Sequence, residues 1–276
     1  MSAKRGLGRI VWAVVIITIL MVFFVRKGKE IPPIKLKELG SAAKITNPAT
    51  SAFRGGEKLT FRVQYLDFIP AGSITMKVKE VSYRGKEAYY LVAEGKTSPL
   101  FSFFTRFQSV FESYMDARNL YSLRFQEHAR SGRNVDERLT IYDQENGIAE
   151  TSEEGTPGSR KVKIGKNSQD FLSALYFLRT RELKVGESFI INLNNRKNNY
   201  EVEVKILRKA EIKVPAGKFT AYVTEVKVTS VGKNEQGKIL TVWLSEKERK
   251  LPLLIKAGTK IGPMEVSLID YGGKQK

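Results

Sequence analysis

From Glu57 onward the chain alternates apolar and polar residues in run after run, and this constrains its fold more than any other feature. "KLTFRVQYL" puts Leu59, Phe61, Val63 and Tyr65 on one face of an extended strand, and "GSITMKVKEV" does the same for Ile74, Met76 and Val78. "YEVEVKIL" separates Tyr200, Val202, Val204 and Ile206 from Glu201, Glu203 and Lys205. "FTAYVTEVKV", "KILTVWLS" and "MEVSLIDY" continue the habit. Successive side chains of a strand point to opposite faces, so a period of two over many segments predicts antiparallel sheet with one wet side. The clusters "YRGKE", "DQENG", "NNRKNN", "GKNEQGK" and "SEKERK" separate the runs as turns, which predicts about twelve strands. "PAG" occurs twice between strand-like runs, at Pro70–Gly72 and Pro215–Gly217. Both copies read as hairpin corners, with proline presetting the turn and glycine accepting a positive φ.

One segment breaks the period. "NSQDFLSALYFLRTREL" carries Phe171, Leu172, Leu175 and Leu178 at helical spacing. Ser168 is placed to cap this helix, and Asp170 suits its first turn electrostatically. The expected fold is mainly β: one large curved antiparallel sheet, or half-open barrel, of about twelve strands with one helix at about 168–181.

A transmembrane helix is expected ahead of that domain. Residues 10–25, "IVWAVVIITILMVFFV", are apolar except for Thr18 and are bracketed by Arg9 and Arg26. The run is a little short of the roughly 20 residues of a usual span, and snorkelling arginines can close the gap. No small-x-small cleavage site follows, which favours an uncleaved signal anchor. The expected organisation is a cytoplasmic head at 1–9, an anchor at 10–25, a linker at 26–52 and a β-rich envelope domain at 53–276. The short basic head places the N-terminus in the cytoplasm. The chain would then cross the inner (cytoplasmic) membrane once, with its C-terminal domain in the periplasm or outside the cell. A linker of about 27 residues reaches at most roughly 90 Å, and about 30 Å as a coil.

The net charge is +18, from 47 Lys and Arg against 29 Asp and Glu. Such a surplus draws a protein to polyanions or simply keeps its surface solvated. There is no cysteine, which excludes disulfides, thiolate metal sites and a cysteine nucleophile. The single histidine, His128, rules out a histidine metal cluster within one chain and reads as a half-buried structural residue. Asp116, Asp136, Asp143, Asp170 and Asp270 are scattered singly, and no nucleophile elbow, phosphate loop or zinc motif occurs. "GTPGSRKVKIGK" lacks the spacing of a nucleotide loop and reads as a flexible hairpin. No enzyme activity, metal or cofactor is expected. An extracytoplasmic domain also meets little nucleic acid, so none is expected as a partner.

Several stretches together resemble a bacterial family known as domain of unknown function 3108. They are "GEKLTFRVQYLDFIPAGSITMKV" (Gly56–Val78), "FESYMDARNLYSLRFQE" (Phe111–Glu127), "QDFLSALYFLRT" (Gln169–Thr180), "VPAGKFTAYVTEVKV" (Val214–Val228) and "TVWLSEKERKLPLLI" (Thr241–Ile255). The resemblance covers the chain from about Phe53 to Tyr271. It implies a secreted or envelope protein whose fold is similar to the half-closed antiparallel barrels of lipoprotein carriers. It implies no activity. The membrane anchor is a reading of this sequence alone.

Two functions are compatible with these features. The first is a structural or interaction module in the cell envelope that binds a protein partner. The alternative is local handling of an amphiphile, such as a lipid, lipopolysaccharide or lipoprotein acyl chain, on the concave face of the sheet. Its candidate lining is Phe61, Tyr65, Phe107, Phe111, Phe125 and Trp243, with Arg106, Arg124 and Arg130 at the rim to pair with headgroups. In "SPLFSFFTRFQSVFESYMD" a turn at 99–104 followed by a strand over 105–115 would set Phe101, Phe103 and Phe104 at the pocket mouth. The plainer possibility is that the inner face packs directly on the helix and leaves no pocket.

Overall fold

In the computed structural model, the described residues are 41–46, 49–98, 107–131, 134–232, 237–259 and 262–272. The anchor expected at 10–25 lies outside them. Among the described residues no helix is long and apolar enough to cross a membrane.

The strands are β1 (Ser41–Ala42), β2 (Lys58–Tyr65), β3 (Ile69–Tyr83), β4 (Lys86–Thr97) and β5 (Phe107–Asp116). They continue as β6 (Ser122–Ser131), β7 (Asn134–Asp143), β8 (Ile148–Glu153), β9 (Ser159–Lys163) and β10 (Ser188–Asn195). The last are β11 (Asn198–Val214), β12 (Gly217–Ser230), β13 (Lys238–Ser245), β14 (Pro252–Thr259) and β15 (Gly262–Asp270). The single helix among the described residues, α1 (Phe171–Thr180), lies between β9 and β10.

All fifteen strands belong to one sheet, in the order β10-β11-β12-β13-β14-β15-β2-β3-β4-β5-β6-β7-β8-β9, with β1 paired beside β3. The count exceeds the expected twelve because some strands carry no alternation to see. β1 is two residues long, and in β9 Ser159, Arg160, Lys161 and Lys163 are all exposed. With neither face buried, a strand leaves no period of two in its sequence. β4 is the opposite case. Its stretch Ala88–Ala93 is buried on both faces, so it reads as an unbroken apolar run.

Turn chemistry corrects one hairpin reading. Gly217 takes φ +137 and opens β12 directly after the corner, as expected. Pro70–Gly72, by contrast, lies inside β3, and the corner falls at Leu66 and Asp67, both at positive φ. A register shift at Val63/Gln64 moves the pairing so that Pro70 sits opposite Gln64. Near the start of a strand its missing N–H costs little.

The sheet curls on itself. A register shift between Ile206 and Arg208 bends β11 and leaves Leu207 exposed. The tip of the β11–β12 hairpin then reaches β15, where the Ala216 N–H donates to the Leu268 carbonyl at 3.1 Å. The two sheet edges, β9 and β10, meet across a seam formed by residues 164–169. There the Gln169 N–H donates to the Asn192 carbonyl (2.8 Å) and the Asn194 N–H to the Gln169 carbonyl (2.9 Å). Asn199 Nδ2 adds a bond to the Lys163 carbonyl at 2.7 Å.

This seam explains where α1 begins. Gln169 is held extended against β10, so the backbone at 168–169 cannot be helical, and the helix is capped by Asp170 rather than Ser168. The Asp170 carboxylate accepts from the Leu172 and Ser173 N–H groups, while Ser173 Oγ accepts from the Asp170 N–H in return, a complete capping box. Its second oxygen accepts from Ser113 Oγ (2.6 Å) on β5 and Ser122 Oγ (2.5 Å) on β6. One buried carboxylate thus fixes the helix start against the sheet.

The concave face and α1 share one core. Leu59, Phe61 and Val63 of β2, Val202, Val204 and Ile206 of β11, and Leu172, Tyr176 and Leu178 of α1 belong to a single continuous cluster. Each such side chain contributes about 1.5–3 kcal/mol by leaving water. A second cluster covers the opposite face of β3–β6, built on Val81, Tyr83, Tyr90, Val92, Val110 and Tyr114.

Candidate functional site

The residues expected to line a pocket fall into three groups. Phe61, Tyr65, Phe111 and Phe125 are buried on the concave side. Phe111 stacks on Phe125 at 6.1 Å, and Phe125 meets Phe171 of α1 edge-on at 6.4 Å. Tyr65 lies at the far end of β2, where its hydroxyl is 3.2 Å from Thr259 Oγ1. Trp243 is half-buried, between the buried Val242 and Leu244, and packs against the edge of the same core. Arg124 and Arg130 occupy even positions of β6, opposite in face to Phe125. Arg124 is buried over the Tyr114 ring, 5.4 Å from its centre. Phe107 begins β5 opposite Ser131. Phe101, Phe103, Phe104 and Arg106 lie outside the described residues.

Two polar clusters were not foreseen from the sequence. On the concave side, Glu127 accepts through Oε2 from Arg138 Nη1 (3.1 Å) and Arg196 Nη2 (2.9 Å). Arg138 also pairs with Asp136 and with Glu153. The available signal was an acid two residues beyond Phe125, at an inward position of β6. On the convex side, His128 bridges two acids, with Nε2 3.2 Å from Glu112 and Nδ1 3.2 Å from Glu137. Glu112 is buried and also accepts from the Tyr90 hydroxyl. The hydrogen bond to Glu112 raises the His128 pKa above its usual value, burial opposes this, and Glu137 adds to the rise.

Among the described residues, a large recess lies beside the C-terminal end of α1. It is a half-open groove of about 840 Å³ lined by residues 44–45, 49–57 and 248–250 with Glu80, Tyr89 and Thr180. Its floor is a buried ion pair. Arg179 is wholly buried and grips Glu57 through two parallel bonds of 2.7 and 2.8 Å. It also donates to the carbonyls of Ala52 (2.9 Å) and Arg249 (3.2 Å). Arg249 Nη2 reaches the same Glu57 carboxylate at 3.0 Å. Phe53 closes this floor, edge-on to both Tyr89 and Tyr176 with ring centres 4.8 Å away.

This wall comes from a segment read as linker. Residues 41–46 and 49–52 pack onto the body: β1 pairs with β3, and Ile45 and Ala52 are buried. Glu80 organises the segment by accepting from the N–H groups of Gly55 (2.9 Å) and Ile45 (3.2 Å). The one sequence signal was the apolar pair Ala52-Phe53 ahead of Gly55-Gly56.

The chemistry of the groove follows from which charges are already matched. Glu57 is held by two arginines and Glu80 by two backbone N–H groups, so both carboxylates are matched within the fold. Burial, then Glu80 and Glu87, push the Tyr89 hydroxyl up to about 12, so it stays protonated. Lys44, Arg54 and Lys250 have no hydrogen-bond or ion-pair partner for their side chains among the described residues, and Glu248 is the one lining acid without one. Among the described residues no cluster of three or more acidic, histidine or cysteine side chains could hold a metal ion.

Comparison with other proteins places the fold. A β-barrel-like protein of domain of unknown function DUF1849 from Brucella abortus is similar over 80% of this chain and 99% of its own, at 8% identity and a TM-score of 0.56. A Bacteroides fragilis protein with a YmcC-like fold aligns over 79% of this chain and 96% of its own, at 11% identity and a TM-score of 0.31. No curated protein matches the chain. Residues 60–269 match the family described as "Protein of unknown function (DUF3108)", and the chain belongs to that family.

Proposed function

We propose that the protein is a non-enzymatic module of the cell envelope. Residues 10–25 hold it in the inner membrane, and its β-domain works outside the cytoplasm by contact with other envelope components. The observation that carries this reading is the filled concave face. Phe61, Phe111, Phe125 and the buried side of α1 are in one core, so the aromatic residues best placed to line a lipid pocket already serve each other as partners. A protein of this kind acts through its outer surface and its ends.

The described part of the body begins at Ser41, and residues 26–40 lie between it and the anchor expected at 10–25. Whatever its conformation, a stretch of about 15 residues spans at most roughly 50 Å. That reach keeps the domain at the membrane that holds it and disfavours a shuttle between membranes.

The test is a version of the chain beginning at Ser41, purified without detergent and extracted for mass spectrometry. Lipid well below one molecule per chain is expected. Stoichiometric acyl lipid that survives a high-salt wash would sink the module reading in favour of amphiphile handling.

A further inference from the structure

The groove beside the C-terminal end of α1 has a charge pattern that the fold does not need. Its acids Glu57 and Glu80 are matched internally, by Arg179 and Arg249 and by the N–H groups of Gly55 and Ile45. Three of its cations, Lys44, Arg54 and Lys250, have no side-chain partner among the described residues, against the single acid Glu248. The matched residues form the floor, and the unmatched ones leave a surplus of positive charge around an open recess. The Tyr89 side chain lines it as well, and its hydroxyl has no hydrogen-bond partner among the described residues although the residue is only 1% exposed. Cations with a hydroxyl donor in a recess suit a phosphate group.

The position of the groove says where such a phosphate would come from. Lys44 and Ile45 line it, and they stand three and four residues after Ser41, the first of the described residues and so among those nearest in sequence to the expected anchor. The described residues nearest the anchor in sequence therefore lie at the groove itself. We propose that this groove receives the phosphate of an anionic phospholipid headgroup, docking the tethered end of the barrel on the bilayer. The proposal rests on the membrane-anchored reading above. Docking adds to the tether a fixed orientation, with the opposite end of the barrel, at the β2–β3 turn, turned away from the membrane. The exposed Phe68, 72% accessible, would then face the envelope rather than the lipid.

Hydrogen exchange on the full chain in nanodiscs tests this. One set of discs is neutral phosphatidylcholine, and the other contains roughly a third phosphatidylglycerol. Exchange in residues 49–57 and 246–251 should slow by at least about fivefold in the anionic discs, the effect of one well-placed basic residue. The Arg54→Ala/Lys250→Ala variant should lose that protection while α1 and β11 exchange as before, which shows the fold intact. Equal exchange in the two discs would overturn the proposal. So would inorganic phosphate protecting the groove in neutral discs as well as the anionic lipid does, because the ligand would then be free phosphate. If the anchored reading itself is at fault, the chain will not enter the discs at all, a distinct result.

Discussion

Arg179→Met measures how firmly the segment before β2 belongs to the folded domain. The guanidinium makes two bonds to Glu57 and three to the carbonyls of Ala52 and Arg249, and its side chain is 0% exposed. Removing it leaves a carboxylate that is 2% exposed with Arg249 as its one remaining partner. Breaking a buried pair from one side costs about 3–5 kcal/mol, mostly for the stranded charge. For a domain of this size that is roughly 6–20 °C in melting temperature. Replacing both partners, Arg179→Met with Glu57→Met, removes the stranded charge along with the attraction, so the double variant should cost less than the sum of the singles by at least about 2 kcal/mol. Thermal unfolding of all four proteins by circular dichroism reads the cycle. Single variants within about 1 kcal/mol of the parent, or fully additive losses, would refute the clasp as a coupled element.

Phe53→Ala should cost about 3–5 kcal/mol by denaturant unfolding, since Phe53 fills the space between Tyr89 and Tyr176; a residue in a true linker would cost nothing measurable. Asp170→Ala should cost about 2–4 kcal/mol, from a lost cap and two stranded serine hydroxyls, whereas Ser168→Ala loses no cap and should change melting by less than about a quarter of that. His128 has a raised pKa in the folded state, so its contribution is complete below its ordinary 6.5 and is lost as pH rises through the folded value. His128→Gln should therefore flatten the decline in stability above pH 6.5 in urea titrations and leave the acid limb unchanged. Deleting residues 10–25 should move the protein from the membrane pellet to the soluble fraction, and protease added to spheroplasts should digest the body of the parent. A body protected in spheroplasts that is cut after lysis would reverse the proposed topology.

The alternation along β2, β3, β11 and β12 declared the sheet and its concave face, because burial of one face is written directly into every second residue. The helix was equally legible, from Phe171, Leu172, Leu175 and Leu178. Its start was displaced from Ser168 to Asp170 because the strand-like pairing of Gln169 with β10 is a long-range contact, invisible to local capping rules. Candidate site residues fared unevenly for the same reason. Phe61, Phe111 and Phe125 lie in the core that the concave face shares with α1. Arg124 and Arg130 sit across the sheet from Phe125, and even numbering within β6 was enough to say so.

The sequence by itself determined an antiparallel β-protein with a helix near 171–180, an apolar N-terminal run, and the absence of thiol or histidine-cluster chemistry, since each of these is a property of composition or of neighbours along the chain. Only the tertiary structure decided that residues 41–46 and 49–57 form a wall of the domain, that Arg179 pairs with Glu57 across 122 positions, and that β9 and β10 close a seam. These depend on groups far apart in sequence meeting where water is excluded. Pairing of that kind leaves no periodic mark, because a single arginine or phenylalanine in a polar stretch looks the same whether it is solvated or buried.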